Sequence, residues 1–258
     1  MSGKTAPAGR VDLDKTRERL DKLGLLHASE QLAALLTETV KDNRPHHRFL
    51  DELLEVELLQ REERRIKTSL RLSGLPPGQT LGNFDFSFQP SVEKSRIETL
   101  ATCGWIREHE TVLLQGPPGV GKTHLAVGLG VKAIENGFSV AFLSLENLLQ
   151  VMKQSAELSP KALRRKKHLN VALLVIDEVG FQQLTREDAS LLFRLVSYRY
   201  GRGSILITTN KPIKDWPEIL AGDEVMATAL LDRLLHHCHV LNIKGRSYRL
   251  RDLEGRLK

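Results

Sequence analysis

A glycine-rich segment at residues 116–123 carries the clearest chemistry in the sequence. It reads G-x-x-x-x-G-K-T, follows the apolar run 111–115 and precedes a helix-like run that begins at His124. A strand, a glycine loop and a helix in this order form the context that a phosphate-binding loop requires. Glycines let backbone N–H groups curl around phosphate oxygens, and the helix N-terminus adds partial positive charge. The segment therefore predicts a binding site for a nucleoside triphosphate.

The residue types in this loop indicate how the triphosphate is held. We expect Lys122 to reach the β- and γ-phosphates and the Thr123 hydroxyl to hold Mg²⁺. A chance glycine turn is the alternative, which the flanking strand and helix patterns disfavour. The predicted nucleotide-binding residues are Gly116, Pro117, Pro118, Gly119, Val120, Gly121, Lys122, Thr123 and His124.

Two adjacent carboxylates, Asp177 and Glu178, follow the apolar run 171–176. At the end of a buried strand, Asp177 is suited to hold the water shell of Mg²⁺, and Glu178 to polarise an attacking water. The alternative is an acidic turn after a core strand. A nucleotide kinase would not need the second carboxylate, because its nucleophile is a substrate phosphate. The pair therefore favours hydrolysis over phosphoryl transfer to a metabolite.

Two further polar residues extend this set. Asn210 ends the apolar run that starts at Ile205, so it is suited to orient the lytic water or touch the γ-phosphate, although Asn is also common in turns. Arg233 lies in an apolar helical stretch, where an isolated charge needs a reason. It either pairs with Asp232 or Glu224, or it is an arginine finger that reaches the γ-phosphate of a neighbouring subunit. The predicted catalytic set is Lys122, Asp177, Glu178, Asn210 and Arg233.

The elements that must position these residues follow two patterns. Residues 1–10 are expected to form a flexible tail, and residues 11–72 an N-terminal helical domain for partner or DNA binding, broken at 43–45. Residues 73–80 are rich in Pro and Gly and predict a linker. The leucine-rich positions predicted to form buried helix faces are Leu20, Leu23, Leu26, Leu32, Leu35, Leu36, Val40, Phe49, Leu50, Leu53, Leu54, Leu58 and Leu59.

Residues 81–258 alternate between strand and helix patterns and are predicted to form the ATPase domain. The strand candidates are 112–114, 140–143, 173–176 and 204–208. This alternation predicts an α/β fold, in which helices cover both faces of a central parallel sheet. The chain continues only to Lys258 after Asn242, too short a stretch for a helical lid, so no C-terminal lid domain is expected.

Composition narrows the class of protein. The chain has 258 residues and a net charge of +6. Only 5% of its residues are aromatic, and this scarcity argues against a wide base-stacking platform for single-stranded nucleic acid. Its two cysteines suggest neither a disulfide nor a zinc site. The run 236–239 contains three histidines, but consecutive side chains diverge, so we expect a helix end followed by a strand. There is no signal sequence and no long apolar run, so a cytoplasmic location is expected.

Four motifs described above are the phosphate loop, the Asp-Glu strand end, the Asn strand end and the Asp-Arg-Leu box at 232–234. Together they resemble an AAA+ ATPase of the initiator and helicase-loader clade. Segments 80–86 and 245–249 narrow the resemblance to the IstB family, ATP-dependent helpers of insertion-sequence transposition related to the helicase loader DnaC. The resemblance implies AAA+ sheet order, ATP and Mg²⁺ as cofactors, and nucleotide-dependent oligomers on double-stranded DNA. It also implies a cognate transposase as partner and the roles given above for the site residues.

Basic clusters are the candidates for DNA contact, since Lys and Arg neutralise phosphates without reading sequence. One cluster lies between two core strands, and the other ends the third N-terminal helix; a solvated helix face is the alternative for both. The C-terminal segment is a third candidate for DNA contact. For its residue Arg246, contact with nucleotide or with a neighbouring subunit is the alternative. The DNA-binding candidates in the two clusters are Arg61, Arg64, Arg65, Lys161, Arg164, Arg165, Lys166 and Lys167.

Three functions are compatible with these patterns. The first is a transposition helper that assembles on target DNA, stimulates a transposase, and is released or remodelled by DNA-stimulated ATP hydrolysis. The second is a replicative helicase loader, which shares every ATPase residue and differs in what the N-terminal helices bind. The third is an ATP-gated DNA-binding scaffold with negligible turnover. Glu178 argues against the third, since a pure switch has little use for a carboxylate that polarises water.

Overall fold

The computed structural model describes residues 13–155 and 170–251, and the chain forms two compact units that divide between Thr68 and Ser69. The first unit is helical, as predicted: α1 (Leu13–Lys22), α2 (Leu26–Lys41) and most of α3 (His46–Ser73). The interruption between α2 and α3 falls at the predicted break. Within 13–155 and 170–251, no helix has the length and apolarity that a bilayer crossing requires.

The core of the first unit is smaller than the leucine pattern predicts. Ala28, Leu32 and Leu53 form its buried centre, with half-buried apolar residues such as Phe49 packed around them. The prediction of burial is wrong for seven positions. The two helices α1 and α2 cover only part of the circumference of α3, and each covers only one face of the other. Those exposed positions are Leu23, Leu26, Val40, Leu50, Leu54, Leu58 and Leu59.

The second unit begins with the end of α3 and alternates strands and helices. Its helices are α4 (Lys94–Ala101), α5 (Gly104–Arg107), α6 (Lys122–Glu135), α7 (Leu145–Ser155), α8 (Arg186–Arg199), α9 (Trp216–Ile219) and α10 (Glu224–Leu235). Its strands are β1 (Thr111–Gln115), β2 (Val140–Ser144), β3 (Leu173–Val179), β4 (Ser204–Thr209) and β5 (Cys238–Asn242). Short 3-10 helices lie at Leu81–Asn83 and Ile213–Asp215.

The five strands form one parallel sheet in the order β2-β3-β4-β1-β5. The four strands predicted from apolar runs are all present, and β5 is the strand expected after the helix end at 236–237. Strands β1, β3 and β4 are almost entirely buried because helices cover both faces of the sheet. In such sheets the carboxyl ends of all strands meet at one edge, where ligands bind.

Candidate nucleotide-binding site

The phosphate-binding loop connects β1 to α6 at the carboxyl edge of the sheet. Gly119 and Gly121 have φ angles of +82° and +95°, which disfavour any side chain. Space is also closed: a Cβ at Gly119 would collide with Ser247 Oγ, and one at Gly121 would lie 2.6 Å from Phe84 Cε2. The loop is therefore held from two sides by segments distant in sequence, and both glycines are required for that packing.

Lys122, the first residue of α6, folds its side chain against this loop. Its Nζ donates hydrogen bonds to the carbonyl oxygens of Gly116 (2.7 Å) and Pro117 (2.8 Å). Burial lowers the pKa of Lys122, Asp177 acts in the opposite direction, and the positive charge of Arg249 lowers the pKa further. The ammonium group is thus partly desolvated beside a second cation, an arrangement that a polyanion would relieve.

Thr123 and Asp177 come together directly. The Thr123 hydroxyl lies 3.0 Å and 3.1 Å from the two carboxylate oxygens of Asp177, which is 6% exposed. Thr208, buried on β4, donates its hydroxyl hydrogen bond to Asp177 Oδ1 from the other side. Hydroxyl and carboxylate oxygens are the ligand types that Mg²⁺ prefers, so these residues fit the predicted metal ion.

Thr208 is a site residue that the sequence reasoning did not single out. It donates to Asp177 and also accepts the backbone N–H of Glu178 at 3.0 Å, so one hydroxyl positions both members of the Asp-Glu pair. The available signal was a hydroxyl in a buried strand, but β4 also contains Ser204 and Thr209, so the signal does not distinguish Thr208 from them. A hydroxyl in such a place needs a partner, because an unpaired buried polar group is costly.

Glu178 is exposed, whereas its neighbour Asp177 is buried. Its φ is +63°, and the register between β3 and β4 shifts at this point of the strand. The kink exposes Glu178 beside Ser144 and Glu146, at the carboxyl end of β2. A left-handed backbone costs an ordinary residue about 1–2 kcal/mol, and such strain is concentrated at functional positions.

Asn210 follows β4, between the ends of β3 and β1. Its Oδ1 is buried and has no hydrogen-bond partner among residues 13–155 and 170–251. A buried acceptor usually has a hydrogen-bond partner in folded proteins, and a bound water or phosphate would be a suitable partner for this one. A role of Asn210 toward a water or a phosphate stays a prediction.

His124 lines a cavity of about 270 Å³ that the phosphate loop shares with segment 79–89 and with Tyr248 and Arg249. Its Nε2 lies 2.8 Å from the carbonyl oxygen of Thr80 and 2.9 Å from Asn83 Oδ1. Its ring packs edge-on against Phe84. His124 therefore fixes segment 80–86 to α6 and forms part of the cavity wall.

Arg233 lies far from the loop of its own chain. It belongs to α10, donates to the Ala229 carbonyl at 2.8 Å and stacks over the Phe193 ring at 4.8 Å. It borders a cavity with Thr111 and Ile205, which lie at the amino ends of β1 and β4. The five residues of β1, at about 3.3 Å each, separate that end from the phosphate loop. In the described part of the chain, Arg233 forms no ion pair with Asp232 or Glu224.

The DNA-binding candidates divide into two groups. Arg61 contacts Glu57 and the Gly24 carbonyl, Arg64 contacts His27, and Arg65 contacts Glu62, so these arginines all have partners within the first unit. The second group lies outside the described residues and comprises Lys161, Arg164, Arg165, Lys166 and Lys167.

A parallel sheet in this order, with a phosphate loop after β1, which lies between β4 and β5, and an aspartate bonded to the loop threonine, defines a P-loop nucleotide-binding domain of the AAA+ type. A sequence profile described as that of IstB-like ATP-binding proteins matches residues 18–254. The chain belongs to this family, which confirms the resemblance seen in its motifs.

Individual relatives agree with this assignment. The chain is 42% identical over 90% of its length to an insertion sequence IS21 putative ATP-binding protein from Pseudomonas aeruginosa, covering 88% of that protein. It is 37% identical over 93% of its length to the corresponding IS5376 protein from Geobacillus stearothermophilus, covering 95% of it. The solved structure of AMPPCP-bound DnaA from Aquifex aeolicus shares the fold with a TM-score of 0.53 at 20% identity, over 71% of this chain and 56% of that one.

Proposed function

We propose that this protein is an Mg²⁺-dependent ATPase that helps DNA transposition. It assembles on double-stranded target DNA, recruits or stimulates its cognate transposase, and uses ATP hydrolysis for release or remodelling. The observation that carries this proposal is the family relationship, 42% identity to an insertion sequence ATP-binding protein over 90% of the chain. The contact between Thr123 and Asp177 supports a metal-assisted nucleotide site within it.

Each site residue has a defined task in this proposal. Lys122 exchanges its two loop carbonyls for the β- and γ-phosphates of ATP, while backbone N–H groups of the loop surround the phosphates. Thr123 and Asp177 hold Mg²⁺, which when bound neutralises charge on the phosphate oxygens. Thr208 keeps the Asp177 carboxylate in place. Glu178 accepts a proton from the attacking water.

Asn210 and Arg233 complete the site from two different subunits. The buried Asn210 Oδ1 accepts a hydrogen bond from the same water and aligns it with the γ-phosphate. Arg233 borders a cavity at the opposite end of the sheet from its own loop, and in this proposal it serves the loop of a neighbouring copy. Such an arginine increases hydrolysis roughly 10³- to 10⁵-fold, so activity depends on assembly.

A mixing experiment tests the contribution of Arg233 between subunits. Arg233→Ala and Glu178→Gln each lose hydrolysis alone, but mixed oligomers contain sites with an intact glutamate on one subunit and an intact arginine on the next. We expect the mixture to recover DNA-stimulated ATPase activity. Arg202→Ala is the matched control, because Arg202 also stacks on an aromatic ring and donates to a backbone carbonyl four residues earlier. No recovery in the mixture would contradict action between subunits.

The function itself is tested by a strand-transfer assay with the cognate transposase, the protein and ATP. We expect the wild-type protein to increase strand transfer, and Lys122→Ala, which cannot bind ATP, to give no increase. The assay is paired with a binding measurement against the replicative helicase of the same cell. A stable complex with that helicase and none with the transposase would replace this proposal by the helicase-loader function.

A further inference from the structure

Among residues 13–155 and 170–251, the Arg233 guanidinium contacts an aromatic ring and a backbone carbonyl and forms no ion pair. Its central carbon lies 4.8 Å from the centre of the Phe193 ring. Its Nη1 donates to the carbonyl oxygen of Ala229, one turn earlier on α10, at 2.8 Å. Nε and Nη2 donate no hydrogen bond within those two ranges. The flat face of the guanidinium is thus occupied, whereas the N–H groups of Nε and Nη2 are available to another acceptor.

Phe193 is anchored by the helix that carries it. It lies on α8, whose first turn is capped by Thr185, and it packs against the main apolar core. Leu192 and Val196 on the same helix are each 2% exposed, so α8 is fixed in that core. α8 also packs against α10, the helix of Arg233. Two packed helices therefore present the ring and the arginine to each other.

An aromatic ring is a suitable support for an arginine that must also bind a ligand. The negative face of the ring attracts the guanidinium without accepting its in-plane N–H groups, so the donors stay available. A carboxylate in the same place would take two of those donors and neutralise the charge. Because the ring holds the side chain before a ligand arrives, less conformational freedom is lost when the ligand binds.

The ring supports Arg233 from outside the cavity that the arginine borders. This cavity, of about 340 Å³, lies at the amino ends of β1 and β4, and Phe193 does not line it. A change at Phe193 therefore alters the support of the arginine and leaves the residues that line the cavity as they are.

We propose that Phe193 is the positioning residue of Arg233. Its ring holds the guanidinium in place before a second copy binds, with the N–H edge directed to the γ-phosphate held by that copy. This inference rests on the proposed action of Arg233 between subunits and adds the residue that orients it. Phe193 itself touches neither nucleotide nor water and acts only through Arg233.

The test places Phe193→Leu on one or the other partner of a mixed oligomer. Arg233→Ala supplies sites with an intact Glu178, and Glu178→Gln supplies intact arginines, so the recovered hydrolysis comes only from pairs of the two. Combined with Glu178→Gln, Phe193→Leu should lower the recovered DNA-stimulated rate about threefold to thirtyfold, the range of a lost cation–π contact. Combined with Arg233→Ala, it should leave the rate unaltered, because that subunit supplies no arginine.

Two further variants show whether the aromatic face is what matters. Phe193→Tyr keeps the ring, so in combination with Glu178→Gln it should retain the rate of the parent mixture. Tyr198→Leu is the matched control on the same helix, because the Tyr198 ring supports Arg202 instead, at 5.0 Å. This control should not change the rate on either partner.

The outcomes separate the inference from the proposed function. An equal loss with Phe193→Leu on both partners would assign the ring to packing of α8 and overturn the inference, as would an unaltered rate when it is combined with Glu178→Gln. If the parent mixture itself recovered no hydrolysis, the proposed action of Arg233 between subunits would fail, and the inference with it.

Discussion

At the scale of single residues, one hydroxyl contacts both members of the Asp-Glu pair, the carboxylate of Asp177 and the backbone of Glu178. Thr208 donates to Asp177 and accepts the N–H of Glu178, so it fixes the proposed Mg²⁺ ligand and the strained backbone next to it. Without Thr208 the Asp177 carboxylate would be less restrained, because Thr123 is its only other hydrogen-bond partner among residues 13–155 and 170–251. Thr208 is thus a positioning residue rather than a catalytic one.

Thr208→Val should increase the Mg²⁺ concentration needed for half-maximal ATP hydrolysis by about tenfold, the equivalent of one charged hydrogen bond. The matched control is Thr209→Val, since Thr209 is equally buried on the same strand but bonds to the backbone of Lys211. Steady-state ATPase rates over a Mg²⁺ titration give the result. An identical Mg²⁺ dependence for both valine variants would remove Thr208 from the site.

Glu178→Gln separates nucleotide binding from hydrolysis. The amide keeps the size of the side chain but cannot accept a proton, so we expect hydrolysis to fall by roughly 10²- to 10⁴-fold while ATP affinity stays near that of wild type. Single-turnover hydrolysis and equilibrium binding, measured on the same preparation, check both parts. Hydrolysis at the wild-type rate would show that another group activates the water.

At the scale of the elements, a buried glutamate joins two helices of the first unit. Glu57 on α3 is 3% exposed and accepts the backbone N–H groups of His27 and Ala28 at the start of α2, together with Arg61 Nε. The first N–H groups of a helix have no partner within it, so a carboxylate there replaces the missing ones. The contact explains why α2 begins where it does without a capping side chain of its own.

Glu57→Gln should lower the free energy of unfolding of the first unit by roughly 1–3 kcal/mol, because hydrogen bonds to a charged acceptor are replaced by weaker ones. Denaturant unfolding followed by circular dichroism measures this change. Glu55→Gln is the control, as Glu55 is exposed on the same helix. Equal unfolding free energies for both variants would contradict the capping role.

The same glutamate predicts a pH dependence. Burial alone would raise the pKa of Glu57, but the hydrogen bonds from Arg61, Ala28 and His27 outweigh it and hold the pKa below its ordinary value of 4.5. A lowered pKa means that the stabilisation is complete above pH 4.5 and is lost as the pH falls through the folded-state value. Unfolding of wild type and Glu57→Gln should therefore converge in acid, and a constant difference down to pH 2 would contradict this.

The residues at the carboxyl edge of the sheet could be predicted from the sequence. The residues that hold them in place through long-range contacts could not. Gly116, Asp177 and Asn210 each follow an apolar run, and parallel strands bring such positions to one edge by geometry alone. Thr208 could not be singled out because its partners depend on strand register, and Arg249 could not because its segment reaches the loop through long-range contacts. The exposed leucines of α3 were wrongly predicted to be buried. Hydrophobic periodicity identifies the apolar face of a helix, but it does not show whether another element packs on that face.

At the scale of the whole molecule, the proposed ATPase site requires groups that a single chain does not bring together. Arg233 lies at the amino end of the sheet, away from the phosphate loop, so the proposed site needs a second copy. DNA contact is expected from the basic cluster at 161–167, because the arginines of the other candidate cluster already have partners within the first unit.

Neutralising Arg164, Arg165, Lys166 and Lys167 to alanine should weaken duplex binding. It should also reduce the slope of log K against log salt by about 0.9 for each DNA phosphate that the variant no longer neutralises. The comparison is a variant with Arg61, Arg64 and Arg65 neutralised, which should lose stability of the first unit and keep the slope. Fluorescence anisotropy over a salt series measures both. An unaltered slope in the first variant would assign 161–167 to a solvated surface.

The most direct test of the central claim, ATP-dependent assembly on DNA, is electron microscopy of the protein with duplex DNA. The samples should contain a non-hydrolysable ATP analogue, ADP or no nucleotide, with Lys122→Ala as a control for nucleotide binding. We predict multi-subunit assemblies on the duplex with the analogue, in which Arg233 of one copy meets the phosphate loop of the next, and none with Lys122→Ala. Monomers on DNA in the presence of the analogue would contradict ATP-dependent assembly.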